Sequence, residues 1–349
     1  MHGSYKGNVS SRWRCPMPVR RRFGGSVAAL LLLFSAACGA RAAPSQSWTL
    51  VDLGTLGGSG SYGSAVSDDG YVAGCSSLPN GDVHAFLYYG GSMVDLAEAS
   101  GTADGPSCGL AVNDRGVVAG RSGTGELVVW NGASVTSLGA KGDVGAINDA
   151  GTVVGSYARP DGQRAFEWRD GSLRDLGAGA GDSLATAVNT RGDIVGQADG
   201  RAFLLHDGSF LDLGTLGGPT SIAKGINDRG EIVGMASDAH GVPTAFLYTG
   251  SMQALAGPGD STGVDVSDRG MVVASGEGYH GYLVFGSDVT RLDELPAVAA
   301  KGWHDLEPTG ISDRGWVVGT GYDADGNPRA FLLVPGKGPM KRTLAAATG

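Results

Sequence analysis

The residues best equipped for chemistry sit near the end of the chain. Trp303-His304-Asp305-Leu306-Glu307 groups an aromatic ring, an imidazole and two carboxylates, with Asp293-Glu294 just upstream. A ring of this kind can stack on a sugar while imidazole and carboxylates bond its hydroxyls. His304 and Glu307 are also side-chain types that carry general acid–base catalysis. Tyr279-His280 adds a second aromatic–imidazole pair, and Asp238 with His240 a further polar group. Tyr279, Trp303, His304 and Asp305 therefore form the candidate binding set, and His280, His304 and Glu307 the candidate catalytic set. The same residues would also suit a solvated loop that covers a junction between repeats.

Other chemistry is thinner. Asp323-Ala324-Asp325-Gly326-Asn327 begins like a calcium loop, with Asp323 and Asp325 as ligands. A complete loop of that kind needs twelve residues ending in a bidentate Glu, whereas Pro328-Arg329-Ala330-Phe331 reads as a strand. The six histidines show no paired metal spacing. No Gly-x-Ser-x-Gly elbow occurs, and no helix follows the glycine-rich fragments to make a phosphate site. No metal and no cofactor are expected.

The first 42 residues read as an export signal. Arg20-Arg21-Arg22 precedes an apolar run from Val27 to Phe34 and then small residues. Met17 is a candidate start. The apolar run is too short for a permanent span, which needs about 20 residues. Ala40-Arg41-Ala42 offers a cleavage site, and Ser35-Ala36-Ala37-Cys38 resembles a lipoprotein box that would lipidate Cys38. Residues 1–42 carry seven cationic residues and no acids, so their removal takes the formal charge from −9 to −16. That charge repels phosphate backbones and argues against nucleic-acid partners. Cys75 and Cys108 remain in the body of the chain, an even pair that in an oxidising compartment reads as a disulfide candidate. Two small buried apolar residues is the other reading of that pair.

The elements that must position these groups are repeats. A turn of Asn or Ser, usually Asp, any residue and Gly closes at Gly70, Gly116, Gly151, Gly192, Gly230, Gly270 and Gly315. Asn, Asp and Ser start such turns through their side chains, and Gly ends them at positive φ. A β-branched strand follows each, as in Val117-Val118-Ala119-Gly120, and then a third strand such as Thr244-Ala245-Phe246-Leu247-Tyr248. Asn-Gly or Asp-Gly turns lead into a fourth strand such as Phe210-Leu211-Asp212-Leu213. The last repeat has no fourth strand, while Trp48–Gly54 is a fourth-type strand with nothing before it. Circular closure demands that offset. The expected fold is an all-β, seven-bladed β-propeller with four strands per blade, its last blade completed by the N-terminal strand. It would span 43–335, with 336–349 as a flexible tail.

The Asn-Asp-x-Gly turns, the Val-Val-Gly strands, the triplet His84-Ala85-Phe86 and Asp-Leu-Gly-Thr-Leu-Gly-Gly at 52–58 and 212–218 resemble the HAF repeat family. Those are tandem repeats of probable extracellular bacterial proteins, named for the His-Ala-Phe triplet. The resemblance covers roughly 48–335 and implies export and repetition, without a reaction. It departs at the triplet, where His stands only at 84 and the equivalents read Arg164, Arg201, Thr244 and Arg329.

In such a fold the aspartate turns lie on one face, explained by backbone geometry alone. The long variable loops, including 276–280, 293–308 and 320–328, lie on the other and are the expected site. The expectation is a monomeric exported binding module, extracellular or periplasmic, for a glycan or an envelope protein. The alternatives are a lipid-anchored form, and a propeller lyase or hydrolase for polysaccharide or lactone using His280, His304 or Glu307 near the central opening.

Overall fold

The computed structural model describes residues 47–102, 105–257 and 259–336, with the side chain of Tyr279 outside that description. The segment expected to be an export signal, Cys38 and the residues beyond 336 also lie outside it. No helix among the described residues is long and apolar enough to cross a membrane.

The strands form five four-stranded antiparallel sheets and one seven-stranded sheet. A typical sheet runs Ser61–Val66, Val72–Ser77, Val83–Tyr89, Ser92–Asp95, each strand pairing with the next in sequence. The seven-stranded sheet arises because Ser134–Ile147 serves two neighbourhoods. Its first part pairs with Glu126–Asn131 and its second with Val153–Arg159. The last sheet takes Trp48–Asp52 against Pro328–Pro335, from Trp48 opposite Pro335 to Asp52 opposite Phe331. The displaced N-terminal strand thus pairs where the repeat offset requires.

Local sequence explains the packing. The glycine third in most second strands admits the neighbouring backbone: a Cβ on Gly74, Gly155 or Gly234 would stand 2.0–2.1 Å from a carbonyl oxygen of the first strand. The triplet phenylalanines Phe86, Phe166, Phe246 and Phe331 are fully buried, their rings against these glycines. Each contributes about 1.5–3 kcal/mol of transfer free energy. Adjacent sheets are stitched by a recurring bond in which a triplet Ala N–H donates to the Ser hydroxyl opening the next first strand. It joins Ala85 to Ser107, Ala165 to Ser183, Ala202 to Ser221 and Ala330 to Ser61 at 2.9–3.0 Å. The Ala330–Ser61 bond ties the last sheet to the first.

Each of the seven first strands carries a register shift, which skips Ser64, Leu110, Gly145, Thr186, Lys224, Val264 and Thr309. A bulge re-aims its extra residue. All seven line a central cavity of about 280 Å³.

The segment Leu292–Gly302 is a clasp. Its turns Leu292–Glu294 and Pro296–Ala299 bury Leu292, Leu295 and Val298 in one cluster with Leu50 of the N-terminal strand. Lys301 Nζ donates to the Leu50 carbonyl at 2.9 Å.

Candidate functional site

The structure brings together part of the sequence-predicted set. His304 opens the strand His304–Ile311, and its Nδ1 lies 2.9 Å from Asp305 Oδ2. Asp305 Oδ1 lies 3.7 Å from His280 Nδ1, so the two imidazoles share one carboxylate. A register shift between His304 and Glu307 and a left-handed Asp305 backbone, φ +50°, aim that carboxylate. Tyr322, which the sequence reading overlooks, stacks on His304 with centroids 5.7 Å apart and planes within 12°. Its ring is 43% exposed. Arg291 and Asp293 complete the group, joined by an Nη2 to Oδ2 bond of 2.6 Å.

Three expectations for this segment are corrected. Trp303 is only 7% exposed and packs in the clasp cluster with Leu50 and Leu306, so it is a core residue and not a stacking platform. Glu307 is exposed opposite Thr320, and no hydrogen bond or ion pair joins it to either histidine among the described residues. None of His280, His304 and Glu307 lines the central cavity, so the catalytic set does not meet at the central opening. The Tyr279 side chain lies outside the described residues.

His280 also revises the triplet. It pairs with Gly276 as His84 pairs with Ser76, and Tyr282 with Ala274 as Phe86 with Gly74. His280-Gly281-Tyr282 is therefore a divergent copy, and His84 is not alone. His84 Nδ1 meets Asp95 Oδ2 at 2.7 Å, both side chains buried. Arg291, opposite Tyr282, stands where Asp95 faces Phe86.

The aspartate turns do more than close themselves. Asn113 Oδ1 accepts locally from the Arg115 and Val117 N–H groups, as the turn motif requires. The next residue reaches across sheets: Asp69 N–H donates to Asp114 Oδ1 at 3.1 Å and Asp114 N–H to Asp149 Oδ1 at 2.9 Å. The series continues from Thr190 to Asp228, Asp228 to Asp268, Asp268 to Asp313 and Asp313 to Asp68. Asn113, Asn148, Asn189 and Asn227 add side-chain bonds to the carbonyl of the following turn. These carboxylates form an intersheet belt, which corrects the reading of them as turn geometry alone.

The belt bounds the central cavity and its charges are crowded. Burial raises the Asp313 carboxyl to about 7, opposed by the Asp268 N–H and reinforced by Asp68, Asp268 and Asp228. Burial, with Asp114 nearby, also raises Asp68. Asp265 projects from a first strand where the other repeats carry Ala or Gly. It accepts from the Ile311 and Val266 N–H groups, and burial raises it to about 6.

The remaining candidates are engaged locally. Asp323 accepts from the Asp325 and Asn327 N–H groups and pairs with Arg329 at 3.4 Å, which closes its turn. Asp238 accepts from the His240 and Val242 N–H groups, and the Val242 bond leads in lowering its pKa. Cys75 and Cys108 stand in neighbouring sheets with Cα atoms 4.8 Å apart and their sulfurs paired.

No protein-family model and no curated protein sequence matches the chain. Solved structures do. The β-propeller domain of the Trilobed protease from Pyrococcus furiosus, described as having an open velcro topology, is similar over 81% of this chain and 95% of that one, at 11% identity and TM-score 0.52. YCF48 bound to a D1 peptide is similar over 82% and 95%, at 11% identity and TM-score 0.49. The six-bladed fucose-recognising lectin of Aleuria aurantia is similar over 84% and 97%, at 9% identity and TM-score 0.35. Identities this low bear on fold alone. With its succession of four-stranded sheets, the chain has a β-propeller fold.

Proposed function

We propose that this chain is an exported glycan-binding propeller whose site is the loop-end cluster of His304, Asp305, His280 and Tyr322. The observation that carries it is the exposed Tyr322 ring stacked on His304 beside a carboxylate. An aromatic face packs on sugar C–H groups, and the adjacent imidazole and carboxylate supply the directional bonds to hydroxyls. A seven-bladed reading is supported by the Ser134–Ile147 strand, which pairs in two neighbourhoods, and by the seven bulged first strands. On that reading the N-terminal strand completes the last blade, supported by its pairing with Pro328–Pro335. The repeat resemblance to the HAF family and the leader at 1–42 support an extracellular or periplasmic setting, with Cys38 as the anchor of a lipidated form.

A glycan array probed with the protein lacking residues 1–42 tests this reading. The expected result is retention of a defined glycan class that Tyr322→Ala and His304→Ala each abolish, with melting curves unchanged. Retention that survives both substitutions would overturn it.

A further inference from the structure

Among the described residues, three buried side-chain polar atoms have no hydrogen-bond partner, and two of them lie in one cluster: Arg291 Nε and Asp293 Oδ1. Buried polar atoms are almost always paired, so an orphan on a carboxylate beside other ligand-type groups points to a further partner, such as an ion. The neighbours are of that type. One donor atom each from His280, Asp293 and Asp305 lies within 4.8 Å of the others. His280 Nδ1 stands 3.4 Å from Asp293 Oδ2 and 3.7 Å from Asp305 Oδ1. Donors held around a tetrahedral ion at about 2.0–2.1 Å are roughly 3.4 Å apart.

Arg291 Nη2 lies 3.0 Å from His280 Nδ1 and 3.3 Å from Nε2, so the guanidinium stands against the imidazole as well as against Asp293. An imidazole and two carboxylates converge, with one guanidinium as the cation beside them. Its fork does not match Asp293 bidentately, because Nε and Oδ1 are both left over. Asp305 is oriented from behind by His304 Nδ1 on its other oxygen, as the outer partners of metal ligands do.

We propose that His280, Asp293 and Asp305 bind one divalent cation of the Zn²⁺ class. An imidazole nitrogen with two carboxylates selects a borderline ion over the oxygen-seeking Ca²⁺ and Mg²⁺. The site needs no sugar, so it does not rest on the glycan reading.

Calorimetric titration of the chelator-stripped protein with ZnCl₂, then CaCl₂, tests it. The expected result is one Zn²⁺ per chain, bound at least tenfold more weakly by His280→Gln and by Asp305→Asn. Asn tolerates the left-handed backbone at 305, so the second variant decides the matter if the first fails to fold. Glu307→Gln, an exposed acid on the same strand, should bind as wild type. Arg291→Gln should bind more tightly, since it removes the competing cation. Absence of a stoichiometric Zn²⁺ site, equal Zn²⁺ affinity in both ligand variants, or Ca²⁺ bound as tightly as Zn²⁺ would each overturn the proposal.

Discussion

The Asp228 backbone N–H donates to Asp268 Oδ1 at 2.8 Å, across a boundary between sheets and 40 positions along the chain. That bond is one link of a belt in which six of the seven turns carry a carboxylate that accepts an N–H of a neighbouring turn. At the remaining position stands Thr190, which donates through both N–H and hydroxyl to Asp228. The belt holds the innermost strands at fixed spacing and thereby sets the width of the central cavity.

Asp114→Ala tests the belt. It removes the acceptor for Asp69 N–H while leaving the local Asn113 turn intact. The expected loss is about 1 kcal/mol, the usual worth of one partly solvated bond, read as a lower urea midpoint with unchanged slope.

The raised carboxyls make stability pH-dependent, with a definite sign. Asp265 at about 6 and Asp313 at about 7 hold protons in the folded state that the unfolded chain has released near 3.8. The folded state binds more protons between about pH 4 and 7, so stability falls as pH rises through that window. For Asp265 alone the change is on the order of 2–3 kcal/mol. Urea midpoints should be higher at pH 5 than at pH 8, and Asp265→Asn should shrink that difference. A midpoint that climbs with pH would contradict the assignment.

Repeat period, strand order and the displaced N-terminal strand are legible in the sequence because turn chemistry and β-branched runs are local signals. The bulges are not, since Ser64 or Lys224 differs from its neighbours only in how the facing strand pairs. The belt escapes for a related reason: each of its bonds joins side chain and backbone from different repeats, and a motif explained by its own turn invites no further partner. Trp303 misleads because it sits beside His304 and Asp305, which mark a surface. What buries it is Leu50, brought in from the opposite end of the chain. His280 escapes recognition as a triplet residue because Gly281 and Tyr282 replace Ala and Phe.

Cys75 and Cys108 fall within the Cα range that a disulfide spans, and they link the first sheet to its neighbour. Closing a loop of this size restricts the unfolded chain by about 3–4 kcal/mol. Intact-mass measurement of the unreduced, alkylated protein should show no labelled thiol in residues 43–349. The Cys75→Ser, Cys108→Ser double variant should unfold at lower urea. Two labelled thiols would reject the bond.

The clasp carries the final prediction. Trp48–Asp52 pairs with one strand only, as the outer strand of its sheet, and a strand so placed would fray without support on a face. Leu292, Leu295, Val298 and Trp303 provide that face against Leu50, and Lys301 adds a bond to the Leu50 carbonyl. Trp303→Ala should therefore cost about 3–5 kcal/mol through the cavity it leaves. Its local signature is more telling than the total. Amide exchange at Leu50 and Val51 should accelerate well beyond that of Val153 and Val154, which lie in a different sheet and make no contact with the clasp cluster. Lys301→Met keeps the stem and removes the ammonium, so it should produce the same pattern more weakly. Deleting 47–52 should leave the Pro328–Pro335 edge unpaired and drive aggregation. If exchange instead rises uniformly in Trp303→Ala, the tryptophan acts through global stability alone and the strand is held by its ladder to Pro328–Pro335.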